Sequence, residues 1–321
     1  MSAAAATREP TVVDAAVLRA WPLPGPEGSG GKEARGRVLV VGGSRELPGP
    51  ALLAGRAVLR VGAGKLQLGV PRSVGIALGV AMPEALVAGL PENDAGSLDI
   101  AAADRVVKLA ARCRALLIGP GLAEDDDTAS LTREVLEQVE NVPVVVDAAA
   151  MMRLFESPDA IRRHTGRLIL TPHAGEMAGM TGRPVTEIEA DPAAVARTIA
   201  AEFGAVVVLK GACSFIAAPD GRAFSCGHGN VGLATSGSGD TLAGLIAGLL
   251  GRGADPLQAA AWGVFLHGEA GNRLAARIGP LGFLARELPD EVPAILADLG
   301  RDPQGGEEAP PPLPSRNVRA T

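Results

Sequence analysis

The apolar positions of this chain fall into short strand-like runs separated by longer stretches with helical spacing. The first run, 37–41, breaks at Gly42-Gly43. Apolar residues then recur at three- and four-residue intervals over 52–61 and stop at Gly62 and Gly64, which predicts a helix. The same alternation predicts strands over 66–70, 115–118, 142–146, 167–170 and 205–209, and helices over 99–112, 131–140 and 191–203. Residues 213–226 read as a hairpin turning at Asp220-Gly221. Two more helices close the pattern. One begins near Gly239, and the other begins at Asp255-Pro256, where a capping residue precedes a proline at the first helical position.

Strands that are apolar throughout and alternate with helices imply a mostly parallel sheet covered on both faces. Ligands of such sheets bind beyond the carboxyl ends of the strands. Here those ends carry Gly42-Gly43, Gly119-Pro120-Gly121, Asp147 and Thr171-Pro172-His173. The flanks differ in character. Residues 1–13 are small and polar and are expected to be disordered, and 22–36 read as a loop. The folded unit is expected over 14–300, followed by a Pro-rich flexible tail over 301–321.

Composition narrows the picture. Aromatic residues make up 2% of the 321 residues, there is no Tyr, and there are 42 Gly. The core must therefore be Val, Leu, Ile and Ala packed closely around glycine, which suits layered α/β architecture. The net charge of −6 has no basic stripe, and stacking aromatics are scarce, so nucleic acid is not an expected partner. Three Cys at 113, 213 and 226 fit neither a disulfide framework nor a zinc site and suit a reducing compartment. The N-terminus lacks a secretory pattern and no apolar run is long enough to span a bilayer, so a cytoplasmic protein without membrane contact is expected.

The chemistry concentrates in a few segments. Gly232, Gly237 and Gly239 are interleaved with Thr235, Ser236, Ser238 and Thr241, just before an apolar helix. Free backbone N–H groups at such a helix start, reinforced by its dipole, attract anions. Asp240 at its mouth is placed to accept a proton from a hydroxyl that attacks a phosphate. The bland alternative makes Asp240 or Ser238 a helix cap. Lys210-Gly211-Ala212-Cys213-Ser214 follows a strand and opens the hairpin, a placement suited to a nucleotide phosphate or to an ordinary charged edge. In Thr171–Glu176 of the chain, His173 and Glu176 either face a cleft or lie in a surface loop whose Thr171 or Glu176 helps cap the next helix. Asp147 either neighbours a metal-bound phosphate or caps a helix. Gly62-Ala63-Gly64-Lys65 imitates part of a Walker loop, but it follows a helix and lacks the remaining motif residues, so it reads as a helix C-cap. His267, inside a long apolar helical pattern, reads as structural.

Taken in order, Val40-Val41-Gly42-Gly43-Ser44, Gly119-Pro120-Gly121-Leu122, 171–176, 210–214 and 230–240 resemble the ADP- or ATP-dependent (S)-NAD(P)H-hydrate dehydratases, over roughly residues 14–300. The resemblance implies a three-layer α/β/α ribokinase-like fold. It implies an ADP-dependent lyase, with ATP as the alternative donor, that restores hydrated NADH or NADPH and releases AMP and phosphate with Mg²⁺ present. It further implies Asp240 as catalytic base and substrate contact. Lys210, Gly211, Ala212, Cys213, Ser214 and Gly239 would hold the nucleotide, and Pro50, Gly121 and His173 would line the hydrate site. A homo-oligomer, commonly a tetramer, is also implied. Many relatives carry Ala at the position of Pro50, Pro at that of Ala174, and an acidic or small residue near Ala149. The rival readings are a small-molecule kinase of the same superfamily, acting on a thiazole or pyrimidine alcohol, and a non-catalytic nucleotide-binding regulator.

Overall fold

The computed structural model describes residues 9–25 and 31–301. Its strands are β1 (Thr11–Val12), β2 (Arg37–Val41), β3 (Lys65–Pro71), β4 (Ala85–Leu90), β5 (Ala115–Ile118), β6 (Val144–Val146), β7 (Leu168–Leu170), β8 (Val206–Leu209), β9 (Ser214–Ala217) and β10 (Ala223–Cys226). The helices of the first half are α1 (Ala15–Ala20), α2 (Gly49–Arg60), α3 (Arg72–Ala81), α4 (Ala103–Ala110), α5 (Asp126–Gln138) and α6 (Pro158–Arg162). Those of the second half are α7 (Ala174–Thr181), α8 (Val185–Ala190), α9 (Pro192–Phe203), α10 (Ser238–Gly251), α11 (Pro256–Arg277) and α12 (Leu288–Gly300).

All ten strands form one sheet in the order β1-β10-β9-β8-β7-β6-β5-β2-β3-β4. Every neighbouring pair is parallel except those made by β9, which runs against β8 and β10. The two-residue alternation of each strand sorts its side chains to opposite faces. Val38, Val40, Leu117 and Val208 pack with α1–α3 and α10–α12, whereas Leu39, Val41, Ile118 and Val207 pack with α4–α9. Both faces are therefore buried, and the three-layer α/β/α architecture expected from the sequence is present.

Glycine sets the closest contact in these layers. A side chain on Gly244 of α10 would collide with the Ala54 carbonyl of α2, and one on Gly248 would collide with Val61. The two helices thus approach backbone to backbone. The Walker-like segment is indeed a helix end: Gly62, at φ 104°, follows the C-cap residue Val61 of α2.

The N-terminal segment departs from expectation. Of residues 1–13, the first eight lie outside the described residues, but Thr11–Val12 pairs with β10, and the Val13 N–H donates to the Ser225 carbonyl at 2.8 Å. The edge of the hairpin offers unpaired backbone groups, and this short segment satisfies them. Trp21 adds a ring stacked on Phe224 with centroids 5.7 Å apart. The expected tail over 301–321 lies, apart from Arg301, outside the described residues.

Strand order reverses between β2 and β5. From β2 the chain proceeds outward to β3 and β4, and from β5 it proceeds the other way to β6, β7 and β8. That reversal opens a crevice beyond the carboxyl ends of the strands. The loops after β2 and β5 meet there: Gly43 N–H donates to the Pro120 carbonyl at 2.7 Å, and a side chain on Gly42 would strike the same carbonyl.

Candidate active site

The start of α10 stands beside the crevice. Its N-cap, Gly237, has φ 86°, and a side chain there would collide with Leu53. No side chain caps this helix. The reading of Asp240 or Ser238 as a cap therefore fails, and the start of α10 is left without a side-chain cap, as an anion site requires.

That helix start separates two cavities. One, of about 600 Å³, is lined by Pro50, Gly121, Ala149, Gly237, Asp240 and Arg286 among others. The other, of about 840 Å³, includes Lys210, Gly211, Ala212, Ser214, Ser238, Gly239 and His267. Gly239 and Asp240 are adjacent in sequence and face different chambers. A phosphoryl group could pass between the chambers by moving across the N-terminus of α10.

Pro50 and Gly121 are in direct reach, since a Cβ on Gly121 would lie 3.1 Å from the Pro50 Cβ. Pro50 occupies the first turn of α2, where a missing N–H costs no helical hydrogen bond. The first helical position of α7 is taken by Ala174. Cys213 does not line the nucleotide-sized chamber with its four neighbours in 210–214; its thiol is 4.0 Å from the Ser214 carbonyl.

Lys210 is the electrostatic centre. Its Nζ lies 3.2 Å from Asp147 Oδ1 and 3.6 Å from Glu176 Oε2. Burial works against the ammonium, but Asp147, Glu176 and Asp240 outweigh it and hold the pKa above the ordinary lysine value. A Cβ on Gly239 would stand 3.4 Å from Nζ, so this position leaves the ammonium next to the α10 backbone. Asp147, 2% exposed, also accepts from Thr171 Oγ1 at 2.7 Å. It makes no capping bond, so the cap reading for Asp147 is wrong: its buried carboxylate is held by Thr171 and Lys210. The next residue, Ala148, has φ 50°, a strained conformation for a residue with a Cβ, at the wall of the Asp240 chamber.

Asp240 feels the opposite balance. Burial and the charge of Asp147 raise its pKa to about 7, with Lys210 acting against them. A carboxylate poised near neutrality is suited to take a proton.

His173 does something the sequence did not single out. Its Nδ1 accepts from the N–H groups of Gly175 at 2.9 Å and Glu176 at 3.2 Å, while Glu176 Oε2 accepts from the His173 N–H at 2.7 Å. His173 thus caps α7 within a capping box, and Thr171 does not cap it. Its ring does not line the chamber of Pro50, Gly121 and Asp240. It borders the nucleotide-sized chamber and a third cavity of about 520 Å³ that shares Glu124, Ala148 and Ala149 with the Asp240 chamber. The β7 and β8 loops are laced together here, because the Lys210 N–H donates to the Pro172 carbonyl at 2.8 Å.

His267, structural by its sequence pattern, has Nε2 2.9 Å from Ser238 Oγ at the start of α10 and lines the nucleotide-sized chamber. Burial pushes its pKa down to about 4, so the ring is neutral near pH 7. Nothing in its local sequence marks this, because only the tertiary crossing of α11 under α10 creates the contact. Arg286 is similarly silent in the sequence as a site residue.

Residues 38–294 match the family model for NAD(P)H-hydrate dehydratase. The chain belongs to the NAD(P)H-hydrate dehydratase family. It is 51% identical over 291 residues to an ADP-dependent (S)-NAD(P)H-hydrate dehydratase of Xanthomonas campestris pv. campestris, covering 90% of this chain and 97% of that one. It is 43% identical to a bifunctional NAD(P)H-hydrate repair enzyme of Moorella thermoacetica, covering 86% of this chain and 52% of that longer protein. Among solved structures, the ADP/ATP-dependent NAD(P)H-hydrate dehydratase of Bacillus subtilis, co-crystallised with ATP and Mg²⁺, superposes with a TM-score of 0.78 at 32% identity, covering 91% of this chain and 99% of that one. Within the dehydratase family frame, the two chambers and the α10 start between them occupy the crevice that the sheet reversal creates.

No group of three or more His, Cys, Asp or Glu among the described residues is arranged to hold a metal ion. Magnesium commonly keeps its waters and binds through nucleotide phosphates with one or two carboxylates. That mode asks for as little as one carboxylate, and Asp147, beside Lys210, is the residue that would hold the ion.

Proposed function

We propose that this chain is an ADP-dependent (S)-NAD(P)H-hydrate dehydratase, a hydro-lyase whose working unit spans 14–300, with ATP as the alternative donor. The observation that carries the reading is the placement of Gly239 and Asp240 on opposite sides of one helix start. Lys210, Gly211, Ala212 and Ser214 bind the nucleotide phosphates on one side. The ring of the hydrate lies on the other, between Pro50, Gly121 and Asp240. Asp240 takes the proton of the ring hydroxyl as its oxygen forms a bond to the terminal phosphorus of ADP, and the bond from that phosphorus to AMP breaks. Elimination then expels phosphate from the ring while the neighbouring ring carbon gives up a proton, and the double bond returns. Hydroxide is a poor leaving group and phosphate a good one, which is why a nucleotide is consumed. The α10 N–H groups and Lys210 balance negative charge as it moves between the chambers. Mg²⁺, when bound with the nucleotide, supplies further charge neutralisation.

The substrates are hydrated NADH and NADPH, and the location is the cytoplasm; among the described residues no helix is long and apolar enough to cross a membrane. A homotetramer is supported by the outer face at the β4 edge, where Ile76 is 86% and Val80 79% exposed on α3 and Leu86 54% exposed on β4. Incubation with hydrated NADH, ADP and Mg²⁺ tests the function. Return of NADH absorbance with release of AMP and phosphate supports it, whereas a stable phosphorylated product would favour a kinase.

A further inference from the structure

The chamber that holds Asp240 carries two arginines, and they are not equivalent. Arg56 Nη2 is 2.5 Å from Asp290 Oδ2, a carboxylate that also pairs with Arg60 at 2.9 Å, so Arg56 is tied into an ion-pair cluster. Arg286 lines the same chamber, is exposed, and among the described residues has no ion pair or hydrogen bond to its side chain. Its backbone is not loose. It lies in a short 3₁₀ turn, Ala285–Glu287, in which Glu287 Oε2 accepts from the Leu284 N–H at 2.7 Å. The turn is fastened to the start of α10: Thr241 Oγ1 is 3.4 Å from the Ala285 carbonyl, and a Cβ on Gly237 would lie 3.3 Å from the Ala285 Cβ. Phe283, buried just before the turn, packs against Gly232 of the preceding loop.

A guanidinium without a partner, on a turn anchored to the helix that carries Asp240, is a binding group in search of an anion. The carboxylates of that chamber, Glu124 and Asp240, repel a dinucleotide's phosphates, so attraction must come from elsewhere on the wall. Resting on the reading that the hydrate ring sits at Asp240, we propose that Arg286 grips the bridging diphosphate of the dinucleotide hydrate. The contact selects a dinucleotide over a free nicotinamide-like ring and acts alike on hydrated NADH and hydrated NADPH, because both carry that diphosphate. Arg286 orients the substrate and takes no part in the proton transfer.

The test compares wild type, Arg286→Ala and Arg286→Lys by steady-state kinetics with each hydrate, ADP and Mg²⁺, and by equilibrium binding of NADH. We expect Arg286→Ala to raise KM about tenfold or more for both hydrates, to leave kcat and the KM for ADP within about twofold, and to weaken NADH binding in proportion, with Lys intermediate. An unchanged hydrate KM in an active Arg286→Ala enzyme overturns the proposal. So does a rise confined to hydrated NADPH, which would place Arg286 on the extra ribose phosphate. Wild type that binds NADH through Arg286 without repairing the hydrate would sink the functional reading and spare this one. Wild type that neither repairs the hydrate nor binds NADH overturns both.

Discussion

Lys210 Nζ lies 3.2 Å from Asp147 Oδ1, joining the ends of β8 and β6 beneath the start of α10. The bond does two jobs, because Asp147 is 2% exposed and would otherwise be a buried charge with Thr171 as its remaining partner. Lys210→Met should therefore lower thermal stability and raise the KM for ADP, the latter by about 10- to 100-fold. Adding Asp147→Asn to Lys210→Met should recover much of the melting temperature and none of the nucleotide affinity. A thermal scan and ADP kinetics on the four variants of the cycle check both halves.

The pH dependence follows from Asp240. A base must be ionised to accept a proton, and its pKa stands at about 7. The kcat/KM for the hydrate should rise with pH through the neutral range and level off above it. Stability has the opposite slope. The folded-state pKa lies above the ordinary value of 3.8, so between these values the folded protein binds more protons than the unfolded chain. Stability then falls as pH rises through that window. Asp240→Asn should flatten this fall and melt several degrees above wild type at pH 8, with the difference vanishing near pH 4. Melting curves across pH measure it.

His173 combines a structural and a chemical role that two substitutions can separate. Asparagine is a competent cap and alanine is not. His173→Ala should lose about 1 kcal/mol of stability, whereas His173→Asn should stay near wild type. If the imidazole touches the hydrate, both should raise the hydrate KM. A normal KM in the Asn variant would leave His173 as a cap alone.

The contact between α10 and α2 predicts a packing effect. Gly244→Ala would push a methyl group into the Ala54 carbonyl. We expect a loss of about 2–3 kcal/mol and a lowered melting temperature, despite the helix propensity gained. A denaturant titration reads it.

Much of the layer architecture was legible because β2, β5 and the hairpin carry their own signals: apolar runs stopping at glycine, and Asp220-Gly221 at the turn. The sequence misled where local and tertiary cues diverge. Arg72–Ala81 and Ala85–Leu90 went unread, since both are apolar, interrupted by Gly75, Gly79 and Gly89, and sit at the sheet edge where burial leaves no clean period. Helix α5 starts five residues before the apolar spacing suggested, because Asp125 caps it through the Thr128 N–H and an acidic first turn resembles a loop. Leu288–Gly300 was hidden by Pro289 and Pro293, although the first lies in the opening turn, where proline is tolerated. Of the site, the Gly239-Asp240 pair and the Lys210 segment were readable as motifs. The bonds of Asp147 to Thr171 and Lys210, and of His267 to Ser238, span 24 to 63 residues and exist only once the strands are ordered.

The central measurement is a single-residue comparison. Asp240→Asn, assayed with hydrated NADH and ADP alongside equilibrium ADP binding, should lose kcat by about a thousandfold or more while binding ADP within about threefold of wild type. An Asp240→Asn enzyme that turns over at the wild-type rate would contradict the account, because the proton would then be leaving the hydroxyl by another route.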